Sequence, residues 1–92
     1  MDSLPEVLLR LARVIRSRRA EAGYTQAEIA HAAKVYRTWM GQIERGEANP
    51  TINVLYKIGR VLGLSLEDLF ALAASSDQAE PQSRPIPRKK GK

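Results

Sequence analysis

Apolar positions recur at three- and four-residue intervals in five stretches of this chain and predict five helices. The first opens on Ser3-Leu4-Pro5-Glu6, a capping box with proline in the first turn, where amides have no helical partner. Leu4, Val7, Leu8, Leu11 and Ile15 form its apolar face, arginines fill the remainder, and the helix runs to Ala22 with Gly23 as its terminator. Thr25 and Glu28 form a second capping box, which sets the next helix start at Gln26; Ile29, Ala30 and Ala33 then make a narrow stripe of small residues. Lys34-Val35-Tyr36 is a three-residue turn, with Val35 at the corner. The third helix is expected from Arg37 to Arg45, burying Tyr36, Met40 and Ile43, with Trp39 at the margin of that edge. Gly46 to Pro50 is a loop, and Thr51 caps a fourth helix, Ile52 to Leu62, that buries Ile52, Leu55, Ile58 and Leu62 before Gly63. Ser65-Leu66-Glu67-Asp68 starts the fifth, with Leu66, Leu69, Phe70 and Ala73 as its apolar positions and Phe70 expected in the core.

The stretch TQAEIAHAAKVYRTWMGQIERG, Thr25 to Gly46, therefore writes two short helices around a sharp turn. This is the pattern of a helix-turn-helix whose second helix enters the DNA major groove. Thr38, Gly41, Gln42 and Arg45 point away from the buried edge, and Arg37 reaches outward from the helix start. Arginine offers two parallel donors to guanine and glutamine bonds the adenine edge, so Arg37 and Gln42 are the candidates for base readout. Thr38 suits a thymine methyl or a phosphate. A side chain at Gly41 is expected to collide with the groove.

Composition narrows the class further. Ninety-two residues make one small domain, placed at 1–74, with a proline-containing basic tail, 75–92, expected to be disordered. The tail holds five bases and two acids, a net +3, which leaves +2 of the total +5 for the folded part. That small remainder hides clustering, because Arg10, Arg13, Arg16, Arg18 and Arg19 crowd the first helix and Lys34, Arg37 and Arg45 lie on the motif, as suits a polyanion partner. There is no cysteine and only one histidine, His31, so disulfides, metal clusters and cofactor sites are not expected. Nothing supplies a nucleophile, base and oxyanion site together, which argues against an enzyme. The amino terminus has no signal-peptide pattern and no apolar run approaches about 18 residues, so a cytoplasmic protein with no membrane partner is expected.

TQAEIA, IERG and PTINVLYKIGRVLGLSLEDL resemble the Cro and phage-repressor, or Xre-like, helix-turn-helix regulators over Leu11 to Leu72. Within that family RTWMGQIERGEANPTI is most similar to the controller proteins of restriction-modification systems. The resemblance implies an all-α, five-helix, lambda-repressor-like domain with the helix-turn-helix at helices 2 and 3. It also implies an ion pair between Arg19 and Glu44, and a Gln26 that binds a phosphate and buttresses the reading residue. Backbone contacts fall to Asn49 and Thr51 in the loop and at the next helix start, with Lys34 and Arg45 as further phosphate-binding candidates. The two-fold contact falls to Leu64, Leu66 and Phe70, and the residues before Leu11, beyond the family's usual start, are expected to pack on the fifth helix or on a partner subunit. The chain departs from the family in having Lys34 where glycine usually turns the chain and Tyr36 where serine or threonine usually caps the helix.

The implied function is a sequence-specific regulator of transcription that binds double-stranded DNA as a homodimer at a two-fold operator. It would repress by covering a promoter and, if controller-like, activate by touching RNA polymerase. The alternative is an antitoxin that represses its own operon, its basic tail ordered by the toxin.

Overall fold

Side chains that close the first turn define where the chain becomes helical. In the computed structural model, which describes residues 3–75, the amide of Glu28 donates to Thr25 Oγ1 at 3.0 Å and the amide of Thr25 donates to Glu28 Oε1 at 2.9 Å. The same reciprocal pair forms at Ser3–Glu6 and at Ser65–Asp68. The helices are α1 (Leu4–Ala22), α2 (Gln26–Ala33), α3 (Arg37–Glu44), α4 (Ile52–Leu62) and α5 (Leu66–Ala74). Among the described residues there is no strand. The tail from residue 76 onward lies outside them.

Helix α1 packs across α5 and α3, α2 lies against α3 and α4, and α4 meets α5. Ile15, Ile29, Met40, Ile58, Leu62 and Leu69 meet in the fully buried centre. Ala30 and Ala33 are also buried, and their small size lets α2 approach closely. Val35 plugs the corner between α2 and α3.

Several apolar positions face differently from what spacing implies. Ile52 is 59% exposed, and Leu4 is exposed as well. Each is the first residue of its helix and so projects past the partner that covers the next turn. Phe70, expected in the core, is 40% exposed, because Leu69, Leu72 and Ala73 take the inward side of α5. Arg18 is buried among the arginines of α1, since α3 and α5 together cover much of that helix's circumference. Val7 packs against the core next to α5, so part of the added length before Leu11 does lie on the fifth helix.

Two backbone positions carry measurable consequences. Lys34 ends α2 in the left-handed region, φ 58° and ψ 49°, with its amide bonded to His31 O at 3.2 Å and that of Val35 to Ala30 O at 2.9 Å. The turn thus keeps the geometry that glycine favours, at a cost of about 1 kcal/mol for a residue with a Cβ. Lys34→Gly is expected to raise the melting temperature by roughly 4 °C or more; an unchanged or lowered melting temperature would contradict the strain. Gly59 is buried in α4, where the chain folds back and the Leu64 amide donates to Gly59 O at 2.8 Å. A Cβ at Gly59 would come within 2.5 Å of Leu64 O. Gly59→Ala must therefore displace backbone, and a loss of about 2 kcal/mol, read as a melting-temperature drop on the order of 10 °C, is the expected outcome despite alanine's better helix propensity.

Candidate nucleic-acid interface

A buried carboxylate holds the end of α3. Glu44 is 1% exposed, and Arg19 meets it with two parallel hydrogen bonds, Nε to Oε2 at 2.7 Å and Nη2 to Oε1 at 3.0 Å. The third guanidinium nitrogen of Arg19 donates to Tyr24 O at 2.9 Å. Gln26 Nε2 donates to Glu44 Oε1 at 3.0 Å, and Arg16 Nη1 donates to the Glu44 carbonyl at 2.6 Å. One residue of α3 is thereby tied to two residues of α1 and one of α2. A burial of this kind requires its donors, because an unpaired carboxylate would be strongly penalised there. Arg16 has no sequence signal of this role: nothing in its spacing distinguishes it from the other arginines of α1.

Tyr36 departs most from expectation: placed on the buried edge of α3, it is instead 87% exposed. It stands outside the helix as its N-cap, with extended φ −61° and ψ 139° and no side-chain capping bond, so the helical period does not reach it. Met40 and Ile43 do form the buried edge, and Trp39 packs partly against the core. Arg37 and Thr38 are exposed in the first turn, beside Tyr36, and Gln42 is half-buried one turn further on. The amino-terminal end of α3 is therefore a projecting group of aromatic, guanidinium and hydroxyl side chains. In a groove such an end meets base edges first.

Gly41 is buried, contrary to its expected outward placement. A Cβ there would lie 3.2 Å from Arg45 Nη1 and 3.7 Å from Gln26 Oε1, so these side chains cover it. Arg45 is exposed and pairs with exposed Glu47 at 3.0 Å, while Gln26 has its amide engaged with Glu44. Gln26, Gly41, Glu44 and Arg45 are thus brought together at the carboxyl-terminal half of α3. Lys34 is exposed at the turn, and Asn49 and Thr51 are exposed in the loop and at the start of α4. Thr51 Oγ1 accepts from the Val54 amide at 3.1 Å and so caps α4. Of the three residues expected at a two-fold contact, Leu64 is 8% exposed and belongs to the core, whereas Leu66 is half-buried and Phe70 is open to solvent.

Among the described residues no group of three or more histidine or acidic side chains could hold a metal ion. No helix among them is long and apolar enough to cross a membrane. The chemistry on offer is hydrogen bonding and positive charge on a projecting helix held rigidly from behind.

Residues 10–72 match the helix-turn-helix domain family, and the chain belongs to that family of DNA-binding transcription regulators. An uncharacterized HTH-type transcriptional regulator of Archaeoglobus fulgidus is 43% identical over 56 residues, covering 61% of this chain and 80% of its own. SinR of Bacillus subtilis, also an HTH-type transcriptional regulator, is 38% identical over 57 residues; the match spans 61% of this chain but about half of SinR, 51%. Among solved structures, a mutant of the restriction-modification controller protein C.Esp1396I superposes with a TM-score of 0.71 at 31% identity, over 84% of this chain and 95% of that one. The same controller protein bound to a 25 base pair operator site matches with a TM-score of 0.66 at 32% identity, over 74% and 90% of the two chains. These likenesses lend no support to the antitoxin alternative.

Proposed function

We propose that this chain reads a two-fold operator as a homodimer, with Arg37, Thr38 and Gln42 of each subunit on base edges. The observation that carries the reading is the exposed first turn of α3, Arg37 and Thr38, on a helix whose far end is locked through Glu44 to α1 and α2. Fixed donors discriminate between bases because a wrong base leaves them unpaired. Tyr36 joins this group, its ring suited to a thymine methyl or a sugar and its hydroxyl to a phosphate. Arg45, Asn49 and Thr51 lie on the flanks as backbone contacts, and Gln26, held by Glu44, keeps a second amide hydrogen for a phosphate.

One monomer contacts too few base pairs for useful selectivity, and two-fold pairing doubles them. Exposed Phe70 and half-buried Leu66 offer the apolar surface for that pairing. The likeness to a controller protein seen on its operator supports a regulator of this kind, acting by occupancy to repress and, from an upstream position, touching RNA polymerase to activate. Its place of action would be the cytoplasm. Selection of bound duplexes from a random pool tests the reading: enrichment of sequences related by two-fold symmetry, with half-sites about one helical turn apart, is expected. Enrichment of asymmetric sites, or of none, would overturn it.

A further inference from the structure

An open cleft of about 380 Å³ lies between the end of α2 and α4, lined by Ala32, Ala33, Lys34, Lys57, Arg60 and Val61. Its cations come from two elements, Lys34 from the turn and Lys57 and Arg60 from one face of α4, three residues apart. No carboxylate lines the cleft, and none of the described residues forms an ion pair with these three side chains. The Arg60 guanidinium lies 5.9 Å from the centroid of the Tyr56 ring, a cation–π contact that restrains the guanidinium without neutralising it. Ala32, Ala33 and Val61 supply an apolar surface between the charges.

Three cations line one hollow with no acid among its lining residues, so its local potential favours an anion. We infer that this cleft binds a small organic polyanion, a molecule with two or more phosphate or carboxylate groups and a compact apolar body. The hollow of about 380 Å³ is roomier than a single ion needs. A DNA backbone is a weaker fit, because duplex phosphates lie on a convex surface and are met by projecting side chains such as Arg45, whereas these cations line a hollow. The ligand would touch Lys34, the residue whose left-handed backbone joins α2 to the reading helix, so its binding and operator binding share one structural element.

Calorimetric titration of the full chain with ADP, and separately with inorganic pyrophosphate, tests the inference in the absence of DNA. One saturable site per chain for ADP is expected, with weaker binding of pyrophosphate, which lacks the apolar body. The double substitution Lys57→Gln, Arg60→Gln should weaken ADP binding at least tenfold, and Lys34→Gly, which relieves backbone strain, should weaken it independently. Arg37→Ala, which leaves the cleft intact, should bind ADP as the unaltered chain does. Equal affinity in the unaltered chain and both cleft variants would place the anion elsewhere, on the reading face or the basic tail, and overturn the inference, as would absence of saturable binding. If the cleft variants instead lose affinity only for duplexes with longer flanks, the cleft holds operator phosphates and the free-ligand proposal fails.

Discussion

Arg37→Ala is expected to erase most of the preference for operator over random duplex while leaving salt-dependent attraction to any DNA largely in place. A bidentate arginine–guanine pair discriminates by about 1–3 kcal/mol, roughly 5- to 150-fold per half-site, and a symmetric dimer counts the loss twice. Arg37 stands exposed at the start of α3 and is not used in any of the hydrogen bonds that hold the helix. Its removal should therefore leave the melting temperature nearly unchanged. A side chain bound to phosphate behaves in the opposite way. Arg45→Ala should lower affinity for all sequences alike and reduce the salt slope by about one for each phosphate that is no longer neutralised. Parallel titrations of operator and random duplex at several salt concentrations separate the two behaviours. Unchanged discrimination in the Arg37 variant would remove that residue from base readout.

The second large effect is on stability. Glu44→Ala removes a carboxylate that receives two bonds from Arg19 and one from Gln26. The Arg19 side chain, only 17% exposed, is then left without its counter-charge. Breaking one partner of a buried pair costs about 3–5 kcal/mol, and the partial exposure of Arg19 favours the lower end. Small domains are stable by only about 5–15 kcal/mol, so thermal melting should show a large drop. Glu44→Gln keeps the shape and one acceptor and should lose less. Both variants should also weaken operator binding beyond what unfolding explains, because α2 and α3 lose their shared anchor. Normal stability in Glu44→Ala would show that the pair fixes geometry without contributing net free energy.

Much of the fold was legible locally. Ser3, Thr25, Thr51 and Ser65 each satisfy orphan amides of the following turn, an interaction within four residues that depends on nothing distant, and all four helix starts fall where those residues stand. The resemblance marked position 34 as one where glycine usually turns the chain, and the structure keeps that left-handed turn with lysine in it. Tyr36 lies outside α3, Ile52 projects from the first turn of α4, and Phe70 yields the inward side of α5 to Leu69, Leu72 and Ala73, and spacing alone distinguishes none of these cases. Periodicity says which residues share a face, but whether the end of that face meets a neighbour depends on where the neighbouring helix stops. Gly59 carried no warning in the sequence, because what forbids a side chain there is the carbonyl of Leu64, brought back by the turn after α4.

By itself, the order of residues determined the five helices, where each begins and the helix-turn-helix spacing, since capping and 3.6-residue periodicity are short-range properties of the chain; α3 closes at Glu44, one residue short of the expected Arg45. Tertiary structure alone decided that Arg16, Arg19 and Gln26 converge on Glu44, that Gly41 is covered by Arg45, and that Tyr36 stands free beside Arg37. It also set Lys34, Lys57 and Arg60 around one hollow. These outcomes depend on the crossing of helices up to 28 residues apart in sequence, and the packing of the whole core sets that crossing.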